Sequence, residues 1–215
     1  MDDHGAFLAE PPATEQVTAA YAQDVAADGY VNNATRMWCW RPDVLEAFAA
    51  LRARLLAETS LSARELAVIV ASTAAARGDS YCSLAWGTRL AALSDEATAA
   101  SVLLGDEPGG DRLSDREAAL ASWARQVVRD PNATAPADVD GLRRLGITDR
   151  EIFEATALVG FRLAFSTVND ALGAPPDLQL ATAAPQPVRD AVTFGRLPAA
   201  PVPYPGAAPG GAAPA

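Results

Sequence analysis

One pentapeptide pattern occurs three times in this chain and limits its fold more than any other feature. The copies are Leu61-Ser62-Ala63-Arg64-Glu65, Leu113-Ser114-Asp115-Arg116-Glu117 and Ile147-Thr148-Asp149-Arg150-Glu151, each followed by an apolar-rich run. A Ser or Thr at the N-cap accepts from the backbone N–H three residues on, while a Glu at that third position reaches back to the N–H of the cap. The Leu or Ile in front sits where a hydrophobic staple forms. Three helix starts are fixed in this way. Elsewhere Ala, Leu, Glu and Arg dominate and the alternating pattern of strands is nearly absent, so the chain is predicted to be all-α. Further helices are predicted over residues 12–27, 42–59, 80–93, 95–104 and 137–145, with breaks at Gly29, Gly78, the stretch 105–110 and Gly146.

The 215 residues fit one domain with flexible ends better than two, and a chain of this length buries a substantial core without disulfides or metal. Residues 1–16 are expected to form a flexible N-terminal segment, 17–178 the helical domain, and 179–215 a disordered tail. Proline content rises after Leu172-Gly173, and from Ala183 Pro, Ala and Gly prevail. Within that tail, residues 188–197 form a short amphipathic island able to dock on a partner or on the chain's own surface; a solvated extension is the plainer expectation.

Composition excludes several chemistries. All seventeen basic residues are arginines, and His4 is the only histidine. Without lysine there is no Schiff base, and without a core histidine the Ser-His-Asp, Cys-His and zinc-histidine sites cannot be built within one chain. No metal and no cofactor are expected. A net charge of -10 argues against nucleic acid as a partner, because no basic stripe is present to displace counterions. No apolar run is long enough to span a bilayer and no signal peptide is evident, so no membrane association and a cytoplasmic location are expected. Cys39 and Cys82 lie far apart and form no disulfide or metal framework, which also suits a reduced compartment.

The run Gly78-Asp79-Ser80-Tyr81-Cys82-Ser83-Leu84-Ala85-Trp86-Gly87 is where chemistry is expected. Gly78 ends the helix begun at Ser62, Asp79 caps the next, and Cys82 falls at N3, where unpaired amides and the helix dipole favour an anion. Asp79 opposes that effect, since a carboxylate one turn away disfavours a second negative charge. Asp79, Cys82, Trp86 and Arg89 share one helix face. The thiol is expected to be mostly protonated at neutral pH. Structural roles account for some of the same residues: Glu65 is explained by its capping box, Asp79 by its cap, and Cys82 by the burial usual for a free cysteine. Arg162, Asn169 and Asp170 stand out as polar residues in an otherwise apolar last helix and are candidate pocket or interface groups.

This run resembles the alkylhydroperoxidase D-like (AhpD-like), or carboxymuconolactone decarboxylase, superfamily, whose Cys-x-x-Cys pair is followed by a histidine four residues after the second cysteine. Gly29-Tyr30-Val31 with Asn33, Arg41-Pro42, the Arg64-Glu65 helix, the stretch from Gly146 to Ile152 and Ala171-Leu172-Gly173 extend the resemblance over about residues 7–178. It implies the AhpD-like helical fold and a homo-oligomer, a trimer or hexamer. By position it makes Cys82 the peroxide-attacking thiol and Glu65 the proton-relay carboxylate. Asp79 stands where the resolving cysteine belongs and Trp86 where the histidine belongs; a Trp N–H donates but is no base. Cys39 is too distant in sequence to be assigned as a substitute resolving thiol.

The resulting expectation is a weak one-cysteine thiol peroxidase, a peroxiredoxin-type antioxidant oxidoreductase. Its catalytic residues are Cys82, Glu65 and Asp79, and Tyr81, Trp86 and Arg89 line the pocket for a small hydroperoxide or apolar ligand. Two alternatives stand beside it: a redox-inactive scaffold or small-ligand-binding protein, and a non-redox decarboxylase-like enzyme with Asp79 or Glu65 as acid or base and Arg89 holding a substrate carboxylate.

Overall fold

The computed structural model describes residues 6–105 and 112–199. Eleven α-helices account for these residues, with no strand among them: α1 (Glu15–Asp28), α2 (Asn33–Trp38), α3 (Pro42–Leu56), α4 (Ala63–Arg77), α5 (Ser80–Leu93), α6 (Glu96–Leu104), α7 (Asp115–Arg129), α8 (Pro136–Arg144), α9 (Asp149–Ala171), α10 (Leu178–Ala183) and α11 (Gln186–Ala191). The all-α expectation holds.

All three repeated pentapeptides form capping boxes, at the starts of α4, α7 and α9. In the first, Ser62 Oγ accepts from Glu65 N at 3.2 Å and Glu65 Oε2 accepts from Ser62 N at 2.7 Å. The boxes also converge in space. Arg64 Nε lies 2.7 Å from Glu117, and Arg116 bridges Glu65 at 2.5 Å and Glu151 at 2.7 Å. Arg64 and Arg116 thus tie their own helix starts to a neighbour's, whereas Arg150 of the third box pairs with Glu154 on its own helix and with Glu58.

α4 is the central helix. Residues 67–74 are buried on every side, as expected of a helix enclosed by others. One side packs Ile69 and Val70 against α7, α8 and α9 through Leu120, Leu142 and Leu158. The other packs Val68 and Ala71 against α5 and α6 through Leu84, Leu90 and Val102. A third cluster, Val17, Tyr21, Val31 and Cys39, joins α1 to α2.

Three expectations need correction. α1 begins at Glu15, because Thr14 rather than a residue near Pro12 caps it. The six-residue helix α2 was not foreseen, and residues 178–199 dock on the domain where a disordered tail was the plainer expectation, so that the alternative given for the island at 188–197, docking on the chain's own surface, is the one the structure shows. Leu180, Ala181, Ala184, Val188 and Ala191 all pack into the α5–α6 cluster, and Val188 is fully buried. Pro185 and Pro187 stand at the start of α11, where a missing N–H costs nothing. Gln186, Arg189 and Asp190 hydrogen-bond around the same turn. Ser80 Oγ donates to Arg196 O at 2.9 Å, and Ala199 bridges to residues 176–178. The remaining tail, 200–215, and the N-terminal residues 1–5 lie outside the described residues.

Candidate thiol site

The site lies where α4 ends and α5 begins. Gly78 adopts φ +78, a left-handed conformation that side chains rarely take, and it lets the chain turn sharply from one helix into the next. Asp79 then caps α5: its Oδ1 accepts from Cys82 N at 2.9 Å. Asp79 is completely buried and Cys82 is 2% exposed.

α9 crosses this turn and supplies the rest. Arg162, Ser166 and Asn169 follow at four- and three-residue spacing, one face of the helix, and all three are buried. Arg162 Nη2 donates to Cys82 Sγ at 2.8 Å. Ser166 Oγ donates to Asp79 Oδ2 at 2.5 Å and lies 3.9 Å from the sulfur. Asn169 Oδ1 accepts from Trp38 Nε1 at 2.9 Å. The thiol therefore sits between a carboxylate on its own helix and a guanidinium on another.

These neighbours act in opposite directions. Burial pushes the Cys82 thiol up to about 12; Arg162 and Ser166 pull it down, and the charge of Asp79 and its hydrogen bond with the thiol push it further up. The thiol is thus protonated at neutral pH, as expected from sequence. Asp170, next on α9, is raised to about 6 by burial and by the charge of Asp79.

An aromatic wall flanks Arg162. Its guanidinium carbon lies 5.6 Å from the Trp86 ring centroid and 5.1 Å from that of Phe165. Phe165 stacks on Trp38 at 5.3 Å and Trp38 on Phe48 of α3 at 5.4 Å. Trp86, one turn beyond Cys82, is therefore wall, and the exposed Arg89 stacks on it at 5.3 Å. Arg162, not Arg89, meets the sulfur.

The other residues singled out in the sequence lie elsewhere. Glu65 is at the far end of α4, about 20 Å from Gly78 at 1.5 Å per residue, and its carboxylate is taken by Ser62 and Arg116. Tyr81 donates its hydroxyl to Asp177, which also accepts from Asn33 N at 2.8 Å; Tyr81 thus fastens α5 to α2 and to the C-terminal segment. Cys39 is buried in the α1–α2 cluster, where burial lifts its thiol to about 11. Ser166 was not foreseen at all. Its signal was the Arg-x-x-x-Ser-x-x-Asn spacing on an apolar helix, of which only the Arg and Asn drew notice. Among the described residues no group of three or more His, Cys, Asp or Glu is placed to hold a metal ion, and no helix is long and apolar enough to cross a membrane.

Solved structures share this all-helical arrangement, which is the alkylhydroperoxidase D core fold. A peroxidase-related protein from Ralstonia eutropha JMP134, described as an alkylhydroperoxidase AhpD core, superimposes with a TM-score of 0.72 at 23% identity, over 82% of this chain and 94% of its own. A peroxidase-related protein from Silicibacter sp. TM1040 gives 0.72 at 22% identity over the same shares. The debrominase Bmp8 gives 0.68 at 15% identity over 86% of this chain and 97% of its own, and it has also been solved as a Cys→Ala variant with 2,3,4-tribromopyrrole. No family model and no curated protein matches the sequence.

Proposed function

We propose that the protein is an AhpD-like one-cysteine thiol peroxidase whose reacting group is Cys82. The observation that carries this reading is the 2.8 Å contact between Cys82 Sγ and Arg162 Nη2, with Asp79 on the same thiol. A guanidinium against a sulfur favours the thiolate, and a carboxylate hydrogen-bonded to the thiol is placed to take its proton. The thiolate attacks the terminal oxygen of a hydroperoxide, the O–O bond breaks, and the leaving alkoxide receives the proton held by Asp79. Cys82 is left as a sulfenic acid, which two equivalents of a low-molecular-weight thiol return to the thiol with release of water and a disulfide.

Turnover on this reading is slow. The thiol titrates far above neutrality, and no second cysteine stands at position 79 to resolve the sulfenic acid. Glu65 takes no part, being engaged 20 Å away on the rise per residue given above.

The test is thiol-dependent consumption of hydrogen peroxide and an organic hydroperoxide by the protein and by Cys82→Ser, with mass spectrometry for the sulfenic acid. Consumption that disappears in the variant is expected; equal inertness of both, with Cys82 remaining reduced, would rule the reading out. The likeness to the debrominase supports a second reading, in which the Cys82 thiolate takes a bromine from a brominated ring, the ring carbon takes a proton, a low-molecular-weight thiol displaces bromide from the sulfur to leave a mixed disulfide, and a second equivalent of that thiol restores Cys82. Loss of bromide from 2,3,4-tribromopyrrole in the same two proteins tests it.

A further inference from the structure

Arg162 carries a donor that its surroundings do not use. The residue is 5% exposed, and its Nε is shielded from solvent yet has no hydrogen-bond partner. Its Nη2, by contrast, donates to Cys82 Sγ at 2.8 Å. In a planar guanidinium Nε and Nη2 share one edge, so their N–H bonds point side by side in a fixed fork. The unused donor is therefore aimed at the space next to the sulfur.

Among the described residues nothing else satisfies it. Asp79 is the carboxylate at the same sulfur, but its Oδ1 accepts from Cys82 N at 2.9 Å and its Oδ2 from Ser166 Oγ at 2.5 Å. The rings of Trp86 and Phe165 flank the guanidinium at 5.6 and 5.1 Å and offer it no lone pair. Leaving a buried donor without an acceptor is unfavourable, more so on a charged group, and native proteins rarely do it. An acceptor that arrives with the substrate accounts for the arrangement.

We infer that Arg162 is a catalytic residue whose Nε holds the terminal oxygen of a hydroperoxide while its Nη2 holds the Cys82 sulfur that attacks that oxygen. This deepens the peroxidase reading and rests on it. Two donors on one rigid edge set sulfur and oxygen side by side, as bond formation between them requires. The S–O bond forms as the O–O bond breaks, and the departing alkoxide takes the proton that Asp79 accepted from the thiol. Cys82–SH and ROOH thus become Cys82–SOH and ROH. Arg162 keeps its own protons and contributes hydrogen bonds alone. The bond from Nε is absent without substrate, so it acts on the reacting complex and not on the resting thiol. It calls for an oxygen at the reacting atom, which hydroperoxides carry and a carbon–bromine bond does not.

The test compares two reagents at Cys82 of the full chain. One is tert-butyl hydroperoxide, read as sulfenic acid trapped with dimedone; the other is iodoacetamide, of comparable bulk, read as its adduct. Peptide-level mass spectrometry separates Cys82 from Cys39, the other free cysteine. Both reagents need the thiolate, so the ratio of their rates cancels the thiolate fraction, and only the hydroperoxide brings a reacting oxygen to Nε. Relative to the same ratio in the urea-unfolded chain, the wild-type protein should favour the hydroperoxide about 10- to 100-fold, the worth of one charge-assisted hydrogen bond. Arg162→Lys keeps a cation for the sulfur but has no second donor atom on a rigid edge, so it should still be alkylated while the preference falls about tenfold or more. An equal preference in wild type and folded Arg162→Lys leaves Arg162 only its charge and overturns the inference while the peroxidase reading stands. Should circular dichroism show that Arg162→Lys does not fold, the wild-type protein decides alone: oxidation with no preference over the unfolded chain overturns the inference. Wild-type Cys82 that is alkylated but never oxidised removes the peroxidase reading, and the role of Nε with it.

Discussion

Replacing Arg162 with Met removes the one cation in contact with the Cys82 sulfur while keeping a long apolar side chain between Trp86 and Phe165. With Nη2 at 2.8 Å, the centre of the guanidinium charge lies about 4 Å from the sulfur, and at an effective dielectric of about 20 the attraction to a thiolate is about 4 kcal/mol. That corresponds to about 3 pKa units as an upper bound, reduced where water enters the vacated space. Because the thiol titrates near 12, its thiolate fraction at neutral pH changes about tenfold per unit. Iodoacetamide should therefore alkylate Cys82 of Arg162→Met about 10- to 1000-fold more slowly than wild type between pH 7 and 9. Asp79→Asn should shift the rate oppositely. Asn caps a helix as well as Asp does, so α5 keeps its start while the charge that opposes the thiolate disappears. The assay is peptide-level alkylation against pH, with circular dichroism to show that each variant is folded. An Arg162→Met thiol as reactive as wild type, or an Asp79→Asn thiol that slows, would refute the account of this site.

Two further outcomes follow from the packing. Val188 is completely buried against the α5–α6 cluster, and a Cβ at Gly87 would lie 2.8 Å from it; Val188→Ala should cost about 1–3 kcal/mol and expose residues 178–199 to earlier proteolytic cleavage, readable by thermal melts and limited digestion. Burial works against ionisation of Glu151, but the amide of Thr148, the hydroxyls of Ser60 and Thr148, and Arg116 together hold it down at about 2, and Glu65 is lowered for the same kind of reason. A carboxyl depressed in the folded state contributes stability above its unfolded value of about 4.3 and loses it as pH falls toward 2. The wild-type Tm should drop across that window, and Glu151→Gln, already less stable at pH 7, should drop less.

What could be read from the sequence was local. The three capping boxes, the left-handed break at Gly78, the cap at Asp79 and the N3 position of Cys82 involve residues three or four apart, and their geometry follows from a single helical turn. They determined the all-helical fold and the place of the thiol, while its protonated state rests first on burial, which the packing supplies. The tertiary structure alone decided which cation meets that thiol: Arg162 lies 80 positions from Cys82, beyond the reach of any helical period, whereas Arg89, the arginine on the same face of α5, is drawn to Trp86 instead. The docking of α10 and α11 was only a secondary alternative in the sequence for a related reason. Their Pro-rich composition signals disorder locally, and only the apolar cluster built by α5 and α6 supplies the burial that offsets the entropy of ordering them. Glu65 shows the converse. Its place in a capping box was legible, but whether its carboxylate faced the thiol or Arg116 depended on the convergence of three helix starts, which only the packing of α4, α7 and α9 brings about.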